Sequence, residues 1–255
     1  MKINRLAEIE QYITANQTVS LDRLCEVFNI SKNTVRRDVN ELVKLGSVKK
    51  VYGGVTVARK FLVPFEERNI KNKSEKLAIA REAAEQVKDG DVIFVDSGTT
   101  APNMVSFLKG KSVTVITESL NTVLNALPFA QLKVIVPGGS LIRETNSLSA
   151  MNSSAIRTFN INKAFLSTTG LTVGNGVTNS SPLEYEIKKE IAEKSDEVYL
   201  LADHSKFGVS SLMTYCRLED VDCLVTDRTP PEEFLSFLET SRIVLKIAAP
   251  AEERT

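Results

Sequence analysis

The 255-residue chain has no tryptophan, one histidine and three cysteines. Cys25, Cys216 and Cys223 lie far apart or outside any metal-ligand spacing, and His204 is the only imidazole. This scarcity argues against a Cys/His metal site and favours a reducing compartment. We therefore expect no metal and no cofactor.

Long apolar runs are also absent. No stretch approaches the roughly 18 apolar residues that a membrane helix needs. The N-terminal MKINRLAEIE carries acidic side chains and lacks the apolar block of a secretory signal. We expect a cytoplasmic protein that makes no membrane contact.

The net charge is zero, but the charges are unevenly distributed. Residues 1–60 hold 11 basic and six acidic side chains, whereas the remainder holds 21 basic and 26 acidic ones. The basic excess in residues 1–60 favours a polyanionic partner for that part of the chain and not for the acidic remainder. An excess of five charges is also small enough to arise by chance.

Apolar spacing near the N-terminus predicts three short helices and a hairpin. The helices are predicted in NRLAEIEQYITAN, in LDRLCEVF after the capping residue Ser20, and in KNTVRRDVNELVKL between Ser31 and Gly46. SVKKVYGGVTV alternates apolar residues around a Gly-Gly turn, as a β-hairpin does. This order is typical of a winged helix-turn-helix, and the alternative is a small helical bundle with a solvated charged face.

The outward side of the third helix and the hairpin supply the candidate DNA contacts. A recognition helix enters the major groove by its N-terminal residues, and the arginine fork matches two acceptors on guanine. The candidate DNA-binding residues are Ser31, Lys32, Asn33, Thr34, Arg36, Arg37, Lys49, Lys50 and Tyr52.

The rest of the chain alternates between helical and strand patterns. Strands are predicted in DVIFVD, SVTVIT, LKVIVP, KAFLST, EVYLLA, DCLVT and IVLKI. Their near-continuous apolar runs indicate an α/β sheet covered on both faces. The predicted domains are a winged helix-turn-helix in residues 1–57, a linker in 58–72 and an effector-sensing α/β domain in 73–255.

Small and hydroxyl-bearing residues follow several of these strands, where α/β sheets bind ligands. SGTT follows the first strand, a Gly-Gly pair the third, and HSK the fifth. Together they suit an anion, although each alone also fits a helix cap, a turn or a solvated lysine. The absence of GxxxxGK[ST] argues against a nucleoside triphosphate.

These motifs together resemble the DeoR family of bacterial transcription regulators. SKNTVRRD and KVYGG resemble the winged helix of that family, and DSGTT, PGG, NKAF, EYEIK and LADHSKFG resemble its sensor domain. Family members commonly carry histidine where Tyr52 stands and glycine where Ala150 stands. KNTVRR, KVYGGVT, LVPFEER and LEYEIKK are most similar to the family's repressors of inositol catabolism.

The resemblance implies a sensor domain similar in fold to ribose-5-phosphate isomerase and the CoA transferases. It also implies that a phosphorylated sugar or related metabolite binds there and releases the regulator from DNA. By position, the implied effector contacts are Asp96, Ser97, Gly98, Thr99, Thr100, Gly138, Gly139, Gly170, Thr178, Glu184 and Lys206.

The predicted function is therefore sequence-specific repression of a carbohydrate operon, for a sugar or for a polyol such as inositol. The predicted partners are double-stranded operator DNA, a phosphorylated effector and further copies of the chain in a dimer or tetramer. No catalytic residue is predicted. The alternative is a sugar-phosphate isomerase-like enzyme fused to a DNA-binding domain, with Asp96, Glu184 and Lys206 as its polar groups. A purely architectural DNA-binding protein leaves the strand-end residues unexplained.

Overall fold

The computed structural model describes residues 2–16, 18–44, 47–57, 63–149 and 153–250. The chain forms two compact units, residues 1–61 and 62–255. Gly46, Ala150 and positions 58–62 of the predicted linker lie outside the described residues. The later part of that linker contains a short helix, described below with the second unit.

The described residues of the first unit form three helices and three strands. They are α1 (Lys2–Asn16), β1 (Thr18–Ser20), α2 (Leu21–Phe28), α3 (Lys32–Lys44), β2 (Val48–Val51) and β3 (Gly54–Val57). As predicted, the Ser20 hydroxyl caps α2 by accepting the Arg23 N–H at 3.1 Å. The hairpin β2–β3 is antiparallel, and β1, which was not predicted, adds a third strand beside β3.

The second unit is an α/β domain, as the strand pattern predicted. Its helices are α4 (Phe65–Ile70), α5 (Lys73–Glu85), α6 (Leu120–Ala126), α7 (Pro182–Lys194) and α8 (Glu232–Ser241). Its first six strands are β4 (Val92–Val95), β5 (Val113–Thr117), β6 (Leu132–Ile135), β7 (Ser140–Ile142), β8 (Ser147–Ser149) and β9 (Lys163–Ser167). The other six are β10 (Gly170–Thr172), β11 (Gly176–Asn179), β12 (Glu197–Leu201), β13 (Met213–Cys216), β14 (Cys223–Thr226) and β15 (Val244–Ile247).

The seven predicted strands form one parallel sheet in the order β15-β14-β12-β9-β4-β5-β6. Ile93 and Val95 of β4 pack on the side of α5, and Phe94 packs on the side of α7 and α8. Both faces are therefore covered, which explains the continuous apolar runs. Since carboxyl ends of parallel strands share one edge, the loops after β4, β9 and β12 meet there.

Two small antiparallel sheets were not predicted. Strands β10, β11 and β13 form one of them, and β7 pairs with β8 in the other. The sheet of β10, β11 and β13 packs against α7 through β11 and β13. It therefore brings side chains from a second sheet close to the carboxyl edge of the first. None of the helices in the described ranges is long and apolar enough to cross a bilayer.

Candidate functional site

The third helix separates its packing side chains from its polar ones. Val35, Val39 and Leu42 are fully buried, whereas Arg36 and Arg37 are exposed on the other side. The helix is fixed from beneath by Asp38, whose buried carboxylate accepts the Arg5 Nε–H at 2.8 Å. The exposed side is therefore presented on a rigid element.

Several of the predicted DNA contacts form hydrogen bonds or ion pairs at the first turn of α3. The Ser31 hydroxyl accepts the Thr34 N–H at 3.3 Å and lies 2.9 Å from the Thr34 hydroxyl. Lys32 pairs with Asp22 of α2 at 2.6 Å, and both side chains are at least half exposed. Asn33 is exposed. Ser31 and Thr34 thus have a capping role, and the exposed Lys32 pair is weak enough to exchange for a phosphate.

The hairpin carries the remaining predicted DNA contacts. Lys49 and Lys50 of β2 and Tyr52 in the turn are all exposed. A groove between α3 and the hairpin is lined by Leu21, Asp22, Lys32, Arg36, Val39, Asn40, Lys50, Val51, Gly53 and Gly54. Helix and hairpin therefore form one continuous surface in which basic side chains are concentrated.

A second candidate site is a cleft at the carboxyl edge of the parallel sheet. It is lined by Arg68, Gly98, Thr99, Thr100, Ser167, Thr168, Thr169, Asn179, Glu184, Lys188 and Lys206. The loops after β4 and β9 supply its hydroxyl groups, β11 and α7 supply its amide and carboxylate, and the turn after β12 supplies Lys206. Five of the predicted effector contacts lie together here: Gly98, Thr99, Thr100, Glu184 and Lys206.

The loop after β4 presents backbone donors to this cleft. Among the described residues, no acceptor takes the N–H of Thr99 or Thr100, whereas the Gly98 N–H bonds the Asp96 carboxylate at 3.2 Å. Gly98 lies so close to β9 that an added Cβ would stand 2.5 Å from the Ser167 Cβ. Glycine is therefore required for the loop to pack against β9.

Two predicted contacts, Asp96 and Ser97, lie beneath the cleft surface and organise it. Lys188 pairs with the Asp96 carboxylate at 2.7 Å, and both side chains are 3% exposed. The same oxygen accepts the N–H groups of Gly98 and Ser167. The Ser97 hydroxyl donates to Glu184 at 2.9 Å.

The remaining carboxylate oxygen of Glu184 is also engaged. It accepts the Asn179 amide at 3.1 Å. Glu184 therefore presents a carboxylate held in place by a hydroxyl and an amide. This arrangement suits hydrogen bonding to hydroxyl groups of a ligand.

The pKa of the Lys206 ammonium lies below its ordinary value. Burial lowers this pKa, and nearby Asp203 raises it again, while Lys71 and Arg68 lower it further. Neighbouring cations that depress the pKa of a lysine also attract an anion. Lys71 and Arg68 therefore add positive charge near Lys206, which suits an anion such as phosphate, while Asp203 opposes them.

Besides Asp96 and Ser97, four predicted effector contacts lie outside the cleft lining. Gly138 and Gly139, with φ of 97° and 136°, form the turn after β6. The Thr178 hydroxyl is fully buried, donating to the Gly170 carbonyl at 2.7 Å and accepting the Ser211 N–H at 2.9 Å. An added Cβ at Gly170 would stand 2.4 Å from the Val209 carbonyl oxygen. Gly170 and Thr178 thus have evident packing roles in the small sheet.

The sequence reasoning missed Lys188, Asn179 and Arg68. Lys188 follows Glu184 by four residues, so helical spacing alone places both on one face of α7. Asn179 could not be found because its strand was not predicted. Arg68 was overlooked because its segment was interpreted as a linker.

A further polar cluster lies near the turn after β12. Glu75, His204 and Asp227 bring three potential metal ligands within 4.8 Å of one another. However, Arg228 contacts Asp227 at 2.9 Å and approaches Glu75 at 3.9 Å. The guanidinium supplies the positive charge that a metal ion would otherwise provide.

Comparisons with known proteins cover both units. Residues 5–61 match the DeoR-like helix-turn-helix domain, and residues 71–228 match the DeoR C terminal sensor domain. The HTH-type transcriptional regulator IolR of Bacillus subtilis (strain 168) is 46% identical over 251 residues, covering 97% of this chain and 100% of the relative. The glycerol-3-phosphate regulon repressor of Escherichia coli (strain K12) is 29% identical, covering 90% and 92%. The structure of ribose 5-phosphate isomerase A from Methanocaldococcus jannaschii gives a TM-score of 0.41 at 19% identity, over 54% of this chain and 55% of the isomerase.

Proposed function

This chain belongs to the DeoR family of transcription regulators, and we propose that it represses a carbohydrate catabolic operon until a phosphorylated intermediate releases it. The observation that carries this proposal is the pairing of two sites in one chain. The first unit has an exposed basic helix beside a basic hairpin, and the second has a polar cleft at the carboxyl edge of its sheet.

On the DNA side, we propose that α3 reads base edges and the hairpin contacts phosphates. Arg36 and Arg37 are the base-reading residues, because guanidinium groups match the two acceptors of guanine. Lys49, Lys50 and Tyr52 contact the backbone, where they position the helix without reading sequence. The remaining contacts belong to Ser31, Lys32, Asn33 and Thr34 at the start of α3.

On the effector side, we propose that the cleft binds a polyhydroxylated monophosphate. The unsatisfied N–H groups of Thr99 and Thr100 donate to the phosphate, and Lys206 neutralises part of its charge. Glu184 accepts the hydroxyls of the carbon chain. Asp96 and Ser97 act from beneath by holding Lys188 and Glu184 in position.

We further propose that the operon serves polyol catabolism, with inositol as the favoured substrate. The motifs KNTVRR, KVYGGVT, LVPFEER and LEYEIKK support this branch. The identity of 46% to IolR, against 29% to the glycerol-3-phosphate regulon repressor, supports it further.

The mechanism is linkage between the two ligands. We propose a homo-oligomer that presents two or more winged helices to repeated half-sites. Effector binding favours an arrangement that no longer matches the operator. A coupling of about 1–3 kcal/mol lowers operator affinity about 5- to 150-fold. Analytical ultracentrifugation of the full chain measures the oligomer directly, and a monomer at operator-binding concentrations contradicts this assembly.

A gel shift on the promoter of the gene itself tests the proposed function. The panel consists of myo-inositol 1-phosphate, glucose 6-phosphate, fructose 1-phosphate and glycerol 3-phosphate, with the unphosphorylated compounds as controls. We expect at least one phosphate, and none of the controls, to release the operator. Lys206→Ala should keep operator affinity and lose this response. A wild-type protein that ignores all four phosphates contradicts the proposed effector class.

An isomerase-like activity is the second candidate, because Asp96, Glu184 and Lys206 are the groups that such chemistry would need. The geometry favours sensing over turnover. Lys188 and two backbone donors hold Asp96, and both oxygens of Glu184 accept hydrogen bonds. Asp96 lies beneath the cleft lining and Glu184 is held by two donors, an arrangement that supports ligand binding over proton transfer. Nuclear magnetic resonance of each panel compound incubated with the protein should show no conversion.

A further inference from the structure

Arg68 connects the cleft to the segment that follows the DNA-binding unit in the chain. It belongs to α4 and lines the cleft together with Thr99, Thr100 and Lys206. Its Nε–H donates to the Val63 carbonyl at 3.0 Å, so its side chain also holds the preceding turn of its own segment. The Arg68 side chain therefore lines the cleft and also binds the backbone of Val63.

Helix α4 is attached to the second unit at both ends. The Phe65 side chain is buried, and its N–H donates to the Glu144 carbonyl at 3.2 Å. At the other end the buried Lys76 ammonium donates to the Arg68 carbonyl. A change in the contacts of Arg68 is consequently a change in the contacts of a short, anchored helix.

Positive charge predominates beside Arg68. Lys71, Lys76 and Lys206 act electrostatically on this region, and the buried carboxylate of Asp203 opposes them. Glu184 is the carboxylate in the cleft lining itself. The Lys188 charge is already matched by Asp96. A dianionic phosphate entering the cleft would therefore meet unneutralised cations, of which Arg68 and Lys206 line the cleft directly.

We infer that the effector phosphate draws the Arg68 guanidinium away from the Val63 carbonyl, and that this exchange carries the signal into residues 63–70. The inference rests on the proposed function, since it names the residue through which the cleft acts. A charged phosphate is a stronger acceptor than a neutral carbonyl, and its oxygens match the two-pronged guanidinium. Residues 63–70 precede the core of the sensor in the chain and follow the hairpin, so the exchange alters the part of the sensor that is nearest in sequence to the DNA-binding unit.

The exchange also meets the thermodynamic requirement for a switch. A ligand shifts an equilibrium only by its differential interaction with the two states. Arg68 supplies such a difference, because its partner is Val63 in one state and phosphate in the other. A lysine at this position would keep the charge but lose the fork that can bond a phosphate at two points.

The test compares phosphate binding with operator release in the full-length protein. The variants are Arg68→Ala and Arg68→Lys, and the control is Arg81→Lys, an exposed arginine of α5 outside the cleft. The probes are the four phosphates of the panel and inorganic phosphate, with binding measured by calorimetry and release by gel shift. Circular dichroism verifies that each variant is folded.

We expect Arg68→Ala to weaken binding of the releasing phosphate about 10- to 100-fold, as loss of a charge-assisted hydrogen bond does. Arg68→Lys should retain phosphate affinity within about tenfold, yet show the same operator affinity with and without saturating phosphate, because the partner of residue 68 no longer changes. The inference is overturned if saturated Arg68→Lys releases the operator as completely as the wild type and Arg81→Lys do. Failure of the proposed function looks different, because then the wild type itself responds to none of the phosphates.

Discussion

At the scale of single residues, Arg36 and Arg37 are positions where we expect a substitution to change DNA binding and leave stability unchanged. Both are exposed, and neither forms an ion pair in the described part of the chain. Replacing both with alanine should leave the fold intact and remove the two proposed base contacts. At about 1–3 kcal/mol for each, specific operator affinity should fall at least 30-fold or so. The measurement is a gel shift, with Arg81→Ala as the control; retention of full affinity by the double variant contradicts the assigned reading face.

The buried pair of Asp96 and Lys188 carries the opposite prediction. Lys188→Met leaves a buried carboxylate facing only two backbone donors, and the expected cost is about 3–5 kcal/mol of unfolding free energy. Its neighbour Lys189 is half exposed and lies 4.0 Å from Glu193, so Lys189→Met should change stability by no more than about 1 kcal/mol. Urea denaturation of both variants measures the difference. Equal losses would show that the buried pair has no special role in stability.

Lys76 predicts a pH dependence. Burial lowers the pKa of its ammonium to about 8; Asp203 opposes this shift, whereas Lys206, Arg68 and Lys71 add to it. Between about pH 8 and the ordinary lysine value, the unfolded chain retains a proton that the folded chain has released. Stability therefore rises with pH across that window.

The comparison with Lys76→Met isolates this effect from other titrating groups. As pH rises from 8 to 10, the unfolding free energy of the wild type should increase relative to that of Lys76→Met. Lys73→Met, an exposed position on the same helix, should show a constant difference from the wild type. Denaturant titrations at pH 7, 8, 9 and 10 measure these unfolding free energies. A difference between the wild type and Lys76→Met that stays constant with pH would contradict the predicted pKa shift of Lys76.

At the scale of elements, the hairpin of the first unit depends on a close contact at Gly54. A Cβ there would lie 2.4 Å from the Val19 carbonyl oxygen of β1, which faces β3 across the sheet. Gly54→Ala should therefore separate the strands, lower the stability of the first unit by about 1–3 kcal/mol and weaken operator binding. The control for stability is Gly53→Asn, at a turn with φ of 76° and open space around it, because asparagine tolerates that conformation. Thermal denaturation and gel shifts measure both effects; a fully stable Gly54→Ala protein contradicts the steric argument.

The success of sequence prediction differed between kinds of strand. All seven strands of the parallel sheet were predicted, because burial on both faces requires long apolar runs such as VIFV and VYLL. Strands such as β10 (GLT) and β7 (SLI) were missed, since three residues carry no periodicity and their pairing depends on distant contacts. Helix α2 was predicted with its correct bounds because Ser20 marks its start.

The candidate site was predictable only in part for a related reason. Thr99, Thr100 and Lys206 follow strands, so topology alone places them at one edge of the sheet. Arg68 reaches the same cleft from a helix earlier in the chain, and no local pattern indicates that contact. The family resemblance supplied Gly170 and Thr178 by position, but it could not distinguish packing roles from positions on the cleft surface.

At the scale of the whole molecule, the division of charge makes a prediction about salt. The basic excess lies in residues 1–60, and the remainder of the chain is acidic. Operator affinity should therefore fall steeply with salt, with a logarithmic slope of roughly 0.9 for each phosphate contacted. Replacing Lys49 and Lys50 together with alanine should flatten this slope by about 1.8, whereas Lys133→Ala, on an exposed position of β6, should not. Gel shifts at several salt concentrations measure the slope. An unchanged slope for the variant lacking Lys49 and Lys50 would show that the hairpin does not contact DNA phosphates.

The arrangement of α3 has a practical consequence. Val35, Val39 and Leu42 hold the helix in place, while positions 32, 33, 36, 37 and 40 face solvent and take no part in the core. Those five positions can be randomised together without disturbing the fold. We expect a library at these positions to yield repressors that respond to the same metabolite but bind different promoters. Such variants could serve as independent switches in synthetic gene circuits within one cell.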